Sequence, residues 1–158
     1  MKFDKILFPT DFSIYSDYAL ADALEFARNH QAELLLLHVI EIETSYAIYG
    51  NTLLPAFFYD RFDDMRQATE QRCKEIKERY PELNIRYIIK EGNAFEEILQ
   101  TEIEENVDCI IMGSHGHTFS LFAMLGSVTE KVVRKSTKPV MVLKYPQLQN
   151  HPISDKEK

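Results

Sequence analysis

The first half of the chain alternates short apolar runs with a segment of helical periodicity. Residues 5–8 form an apolar run that Pro9 ends, and apolar side chains then recur at steps of three and four between Ala19 and Ala27. Residues 33–40 are almost continuously apolar without helical spacing, which is typical of a strand buried on both faces of a parallel sheet. The pattern predicts a strand, an amphipathic helix and a central strand.

A long amphipathic segment follows. Its buried stripe recurs at steps of three and four, at Phe58, Phe62, Met65, Thr69, Cys73, Ile76 and Tyr80. This spacing predicts a helix that ends near Pro81, because the residue before a proline is disfavoured in the helical conformation. The alternation of Ile85, Tyr87 and Ile89 with less apolar positions then predicts a strand.

Residues 93–105 predict a further helix. Asn93 and Glu96 have the spacing of an amino-terminal cap. The apolar positions are Phe95, Ile98, Leu99 and Ile103, and the charged face includes Glu102, Glu104 and Glu105. We expect the charged face to serve only solubility.

The remaining pattern completes an alternating α/β chain. The pattern of residues 109–112 predicts a strand, and that of residues 127–135 predicts a helix that begins at Ser127. Residues 140–143 are predicted to form the last strand, with Pro139 at its start. Five strands alternating with four helices imply parallel pairing through right-handed crossovers. The fold class is a doubly wound, Rossmann-like α/β sheet.

Residues 1–145 are expected to form one domain, and the polar tail 146–158 is expected to be disordered. Residues 41–55 fall outside the alternation, and so long a connection suggests a lid, a dimer contact or a flexible flap.

Charge and cysteine content narrow the function classes. With 25 acidic against 18 basic residues the net charge is −7, which disfavours nucleic-acid binding. No apolar stretch approaches the roughly 20 residues that span a bilayer, so membrane insertion is not expected. The start of the chain does not resemble a signal peptide, and Cys73 and Cys109 are expected to be buried thiols, so we expect a cytoplasmic protein.

Ligands of open parallel sheets bind beyond the carboxyl ends of the strands, so the residues after each strand carry the chemistry. Gly113 and Gly116 follow the fourth strand, and Gly126 and Ser127 precede the last helix. Glycines let the backbone approach a ligand, and a helix start offers free amides, which together suit an anion. Two glycines after a strand are, however, more often only a turn.

The full pattern is Gly113, two residues, Gly116, nine residues, then Gly126 and Ser127. With the segments KILFPTDFS, VDCIIMGSHG and LGSVTEKVVRKSTKPVMVLK, it resembles the universal stress proteins over nearly the whole chain. The resemblance implies a sheet of the adenine nucleotide α-hydrolase type with strand order 3-2-1-4-5, helices on both faces, and a homodimer formed through the last strand.

The branch of that family that binds ATP implies a set of candidate nucleotide-binding residues. Gly113, Gly116, Gly126 and Ser127 match the positions for ribose and phosphates, and Asp11 and Val39 match those on the adenine side. The same motifs contribute their neighbours Pro9, Thr10, Met112, His117 and Val128. The implied cofactor is ATP, or AMP or ADP, with Mg²⁺.

The chain departs from the family at the phosphate loop. No lysine or arginine lies between Asp108 and Lys131, and His117 occupies the position that often carries a basic residue. Triphosphate charge would then be met by backbone amides, the helix terminus, a divalent ion, and His115 or His117.

Structural roles compete with these assignments. Residues 127–130 also form a capping box that would occupy Ser127 without a ligand, and Asp11 could cap the first helix or form an Asx turn. His38 is expected to be a core or rim histidine, and His115 and His117 to be solvated loop histidines. The apolar spacer, from Phe119 to Leu125, is expected to pack or to form a dimer contact.

The sequence favours a regulatory nucleotide-binding protein over an enzyme. It has no GxxxxGK[ST] motif, no lysine in the phosphate loop and no carboxylate placed by motif to activate water, so no catalytic or metal-ligating residue is assigned. A nucleotide-free interaction module with an unknown protein partner is the second hypothesis. A hydrolase or adenylate-transferring enzyme is the third.

Overall fold

The computed structural model describes residues 2–41, 56–117 and 125–145, with side chains of the second range from residue 62. The predictions for residues 42–55, for most of the apolar spacer and for the tail 146–158 lie outside these residues. The elements follow in chain order: β1 (Lys5–Pro9), α1 (Ile14–His30), β2 (Glu33–Ile40), α2 (Ala56–Arg79), β3 (Ile85–Glu91), α3 (Ala94–Glu104), β4 (Cys109–Gly113), α4 (Ser127–Lys135) and β5 (Val140–Leu143).

The five strands form one parallel sheet in the order β3-β2-β1-β4-β5, which confirms the predicted fold class and strand order. The apolar run 33–40 is the interior strand β2, paired with β1 and β3 over its length. The middle of the sheet is β1, which pairs with β2 on one side and β4 on the other. The last strand begins one residue after Pro139.

Alternation along the strands divides the core into two layers. Ile6 and Phe8 of β1 pack with Ala23 and other residues of α1 and α2, whereas Leu7 packs with Ile98 of α3 and Val132 of α4. Helices therefore cover both faces of the sheet, as the sequence predicts. None of the helices in the described ranges is both long and apolar enough to cross a membrane.

Both cysteines are buried free thiols, as predicted. Burial raises the pKa of Cys73 and of Cys109 to about 11. A thiol with so high a pKa is almost entirely protonated at neutral pH, so neither cysteine has the thiolate character of a nucleophile or metal ligand.

The helix α3 begins as predicted and buries Ile98 as expected, but its last turn inverts the expected burial of two residues. Asn93 is its N-cap and accepts a hydrogen bond from the Glu96 amide. Glu102, expected on the solvated face, is only 2% exposed, whereas Ile103, expected in the apolar stripe, is 73% exposed. Glu102 follows Ile98 by four residues and therefore shares its face of the helix.

The reason for this inversion is a set of donors in the turn between α4 and β5. The Glu102 carboxylate accepts hydrogen bonds from Ser136 Oγ (2.6 Å), Thr137 N (2.9 Å) and Thr137 Oγ1 (2.6 Å). A buried carboxylate is stable only when such donors replace water. Glu102 thus fastens the turn that leads into β5 to helix α3.

Glu105 also has a structural role beyond the expected solubility. It accepts hydrogen bonds from Arg86 of β3 and Lys5 of β1, and Arg86 also binds Glu33 of β2 (2.7 Å). The bond to Arg86 lowers the pKa of Glu105. This ion-pair network ties together the first residues of three strands and the end of α3.

We expect Glu102→Ala to lower the free energy of unfolding by about 3 kcal/mol, because Thr137 N and Thr137 Oγ1 lose their acceptor and Ser136 Oγ is left with Lys138 O alone. Chemical denaturation followed by circular dichroism measures the change. The control is Glu104→Ala on the same helix, where the exposed carboxylate pairs with Lys90 and its loss should change the free energy of unfolding much less. Equal losses in the two variants would contradict this role of Glu102.

Candidate functional site

All eleven candidate nucleotide-binding residues line one cavity of about 400 Å³. The cavity lies beyond the carboxyl ends of β1, β2 and β4, next to the point between β1 and β4 where the strand order reverses. The eleven are Pro9, Thr10, Asp11, Val39, Met112, Gly113, Gly116, His117, Gly126, Ser127 and Val128. The structure therefore brings together residues that span almost 120 positions of the sequence.

One wall of the cavity is the amino terminus of α4. Gly126 is the N-cap of this helix and no side chain caps it, so the predicted capping box with Ser127 as the cap is wrong. Ser127 is instead the first helical residue. The first intrahelical amide bond is Glu130 N to Gly126 O (2.9 Å), and no partner for the amides of residues 127–129 is found within the described ranges. These amides and the helix dipole favour an anion.

Two hydrogen bonds hold α4 against the end of β4. Gly126 N donates to Ser114 O (2.8 Å), and Thr129 Oγ1 donates to Gly113 O (3.0 Å). Ser114 N in turn donates to Leu143 O of β5 (2.8 Å). The amide wall is therefore fixed to the sheet and does not depend on a ligand for its position.

Asp11 joins the loop after β1 to the loop after β4. Its Oδ1 accepts from Ser13 N (3.0 Å), which is the Asx turn considered above, and Ser13 rather than Asp11 caps α1. Its Oδ2 accepts from His117 N (2.8 Å), and its carbonyl accepts from His117 Nε2 (2.7 Å). In this structure both carboxylate oxygens of Asp11 are therefore occupied by backbone amides.

Gly116 is required by this contact. A Cβ at position 116 would lie 2.2 Å from Asp11 Oδ2, closer than real Cβ atoms approach any atom, and its three nearest atoms all belong to Asp11. The carboxylate therefore occupies the space that a side chain at position 116 would need. Because Gly116 has no side chain, the Asp11 carboxylate as well as a ligand can approach its backbone closely.

The turn between β1 and α1 is built around Thr10. Thr10 N donates to Leu37 O (2.8 Å), its hydroxyl lies 2.6 Å from Ser16 Oγ, and the same hydroxyl accepts from Phe12 N (3.0 Å). Phe12 has a φ of 56°, a left-handed conformation that costs a bulky residue energy and persists only when its surroundings hold it. The turn thus places Thr10 and Asp11 at the cavity under strain.

The side of the cavity toward β2 is apolar, and the sequence identified only part of it. Beside Val39, the lining includes Leu37, Ile40, Met65 of α2, and Ala94 and Ile98 of α3. The sequence assigned Leu37 and Ile40 to a strand and Met65 and Ile98 to the buried stripes of helices, and it did not single out Ala94. The spacing of a helix stripe shows which residues face inward but cannot show that a stripe ends at a cavity.

The three histidines near the site differ from one another. His38 is partly buried, as expected of a rim histidine, and its Nδ1 lies 2.8 Å from Thr10 O. The prediction that His115 is solvated is wrong, because it is only 7% exposed and its Nδ1 lies 3.0 Å from Ser114 Oγ. His117 is exposed, but its contacts with Asp11 hold it in place.

The cavity carries little formal charge. No lysine or arginine is found among its described lining residues, which include the acids Asp11 and Glu41 and the histidines 38, 115 and 117. Within residues 2–41, 56–117 and 125–145 there is also no cluster of three side chains that could hold a metal ion. Positive potential in this site comes from backbone amides, and any divalent ion would depend on oxygens that a ligand supplies.

We expect Gly116→Ala to lower the free energy of unfolding by about 2 kcal/mol, because the new Cβ displaces Asp11 Oδ2 from the His117 amide. Asp11→Ala should have a similar cost. In the double variant the new Cβ meets no carboxylate, so the two costs should fall short of additivity by about 1–2 kcal/mol. Denaturant titrations of the four proteins measure this coupling, and strict additivity would contradict the proposed clash.

Comparison with known proteins identifies relatives that match this chain over most of its length. Universal stress protein MJ0577 of Methanocaldococcus jannaschii is 34% identical over 154 residues, covering 90% of this chain and 95% of the relative. Its solved structure has a TM-score of 0.79 at 35% identity, covering 92% of this chain and 98% of that one.

Two more distant structures share the fold. A universal stress protein in complex with cAMP has a TM-score of 0.63 at 18% identity, covering 91% of this chain and 98% of that one. A family member from Arabidopsis thaliana with AMP bound has a TM-score of 0.59 at 22% identity, covering 89% and 91%. The profile described as the Universal stress protein family matches residues 2–144, so the chain belongs to this family.

Proposed function

We propose that the protein binds an adenine nucleotide in the cavity at the strand-order reversal and acts as a regulatory module. The observation that carries the proposal is the polarity of the cavity, which has free helix amides on the α4 side and apolar side chains on the β2 side. A nucleotide has the same polarity, with anionic phosphates at one end and a flat apolar base at the other. The volume of about 400 Å³ lies within the usual range of small-molecule sites.

In this proposal the phosphates lie against α4 and residues 113–117. Charge-assisted hydrogen bonds contribute about 1.5–3 kcal/mol each and a helix terminus about 0.3–1 kcal/mol. Three or four such contacts, less the cost of immobilising the ligand, correspond to roughly micromolar affinity. Without a lysine or arginine in the lining, Mg²⁺ carried on the phosphates would be needed to offset the charge of ATP.

The related structures support an adenine ligand as a capacity of the fold. One holds cAMP and another holds AMP. Both structures are less than 25% identical to this chain, so the preference for ATP, ADP or AMP depends on the lining residues described above.

A regulatory role fits the site better than catalysis. The phosphate side lacks a lysine or arginine among its described residues, whereas phosphoryl transfer needs positive groups to stabilise the developing charge. Asp11, the carboxylate nearest the loop, has both oxygens bonded to amides and is not placed to activate water.

We further propose a cytoplasmic homodimer that presents a nucleotide-dependent surface to a protein partner. Among the described residues β5 is an edge strand that pairs with β4 alone, and its Met141 is 40% exposed. An open strand edge can pair with a second copy. The two reduced, buried cysteines suit a reducing compartment.

A second candidate function is a nucleotide-free interaction module. Asp11 favours it, because its carboxylate already occupies the His117 amide and could stabilise the loop in place of a ligand. The two functions differ in which group accepts the hydrogen bond from the His117 amide in the cell, a phosphate of the nucleotide or the Asp11 carboxylate.

The first experiment is to denature freshly purified protein and identify released nucleotide by mass, then to titrate emptied protein with Mg-ATP by calorimetry. We expect the released ligand to be an adenine nucleotide, or the emptied protein to bind Mg-ATP with roughly micromolar affinity.

Gly116→Leu should abolish nucleotide binding while the fold, followed by circular dichroism, stays intact. Lys135→Leu, which adds the same side chain at the exposed end of α4, should leave binding unchanged. A protein that releases no nucleotide and gives no calorimetric response to Mg-ATP would favour the interaction module.

Hydrolysis should be absent or far slower than in phosphoryl-transfer enzymes, because the site lacks the charged groups described above. Steady-state release of phosphate from Mg-ATP measures it. A turnover of about 1 per second, which is typical of slow kinases, would contradict the regulatory role.

A further inference from the structure

Three side chains, those of Phe12, His38 and Arg72, form a cluster beside the turn after β1, here called the Phe12 cluster. The Phe12 and His38 rings are stacked, with centroids 4.9 Å apart and planes 28° from parallel. Burial lowers the pKa of His38, so its ring is neutral at pH 7. The guanidinium carbon of Arg72 lies 4.7 Å from the Phe12 ring centroid. Both contacts are attractive, and they offset part of the energy that a φ of 56° costs a bulky residue.

Both neighbours of Phe12 are anchored elsewhere in the fold. His38 lies in β2, on the sheet face that α1 and α2 cover, and its Nδ1 donates to Thr10 O (2.8 Å), since a carbonyl can only accept. Arg72 lies in α2 and donates to Asp17 Oδ2 in the first turn of α1 (2.6 Å). The Phe12 ring is therefore tied to the sheet through His38 and to α2 through Arg72.

The Phe12 cluster supports the cavity from outside. Neither Phe12 nor Arg72 is among the described residues that line the cavity, whereas Thr10 and Asp11, which directly precede Phe12, both line it. The Phe12 amide donates to the Thr10 hydroxyl (3.0 Å), so the position of Thr10 depends on that of Phe12. Without the cluster, the strained turn would be free to relax and to move Thr10 and Asp11 with it.

The backbone of the turn does not itself require phenylalanine. Glycine adopts a φ of 56° at no steric cost, so a smaller residue would satisfy the turn better. What phenylalanine adds at position 12 is the contact with β2 and α2.

Resting on the proposed function, we propose that Phe12 and Arg72 are positioning residues for the nucleotide site, which hold Thr10 and Asp11 at the cavity and couple the site to helix α2. A turn that is already ordered does not add its conformational entropy to the cost of binding. Because coupling is reciprocal, a nucleotide that fixes the turn also stabilises α2 around Arg72.

The first test is calorimetric titration of emptied protein with Mg-ATP at pH 7.5. Phe12→Leu removes the ring contacts and keeps the strained φ, and it should bind about tenfold more weakly, which corresponds to the backbone entropy of roughly one residue. Arg72→Met should weaken binding in the same direction. The control is Arg66→Met, because Arg66 lies on the same helix, is similarly exposed and pairs with Glu91 of β3 instead. It should leave the affinity unchanged.

Two further variants separate positioning from a loss of stability. Phe12→Tyr keeps the ring and should bind as tightly as the wild type. Phe12→Gly removes the ring and the strain together, so its free energy of unfolding should fall less than that of Phe12→Leu, whereas its affinity should fall at least as much. Stability and affinity should therefore rank these variants differently.

Hydrogen exchange measures the coupling to α2 directly. Saturating Mg-ATP should slow the exchange of the amides of residues 70–76 in the wild type and leave it unchanged in Phe12→Leu. The amides around Met65, which lines the cavity itself two turns earlier in α2, should be protected in both proteins.

The outcomes distinguish this inference from the proposed function. If Mg-ATP binds the wild type, and Phe12→Leu and Arg72→Met bind it equally well, the positioning role is overturned and the proposed function stands. The positioning role is also overturned if affinity follows stability through all the variants at position 12. If the wild type binds neither Mg-ATP nor AMP, the proposed function fails and the positioning role fails with it.

Discussion

The constraint on which the site depends is the double pairing of β1. Because β1 bonds to β2 on one side and β4 on the other, the connection after β1 runs toward one half of the sheet and the connection after β3 crosses to the other half. Helices α1 and α2 cover one face and α3 and α4 the other, so a crevice opens where the strand order reverses. Every candidate residue lies on a segment that enters or leaves this crevice.

Asp11 is the residue that makes the crevice one site. Its contacts with Ser13 and His117 join the first loop to the fourth, and Gly116 leaves the space that its carboxylate fills. In the proposed function, a phosphate would therefore meet a loop that already holds an internal anion. Its affinity would depend on the difference between what the phosphate and the carboxylate offer to the same amides.

Much of this fold could be predicted from the sequence, because the apolar periods of strands and helices differ and the helix-length connections impose parallel pairing. The resemblance to the universal stress proteins also pointed to the eleven residues that line the cavity. Periodicity could not reveal the burial of Glu102, because the donors of Ser136 and Thr137 that stabilise its carboxylate come from a distant turn. The buried state of His115 and the role of Gly126 as the cap likewise depend on tertiary contacts.

Glu102 has a consequence for how the molecule opens. A strand of four residues at the edge of a sheet, such as β5, would ordinarily open alone in the native state and exchange its amide protons early. The Glu102 carboxylate binds the turn before β5 to a buried face of α3. Detaching β5 then requires breaking bonds within the core, so the edge strand becomes part of the same cooperative folding unit as the centre of the sheet.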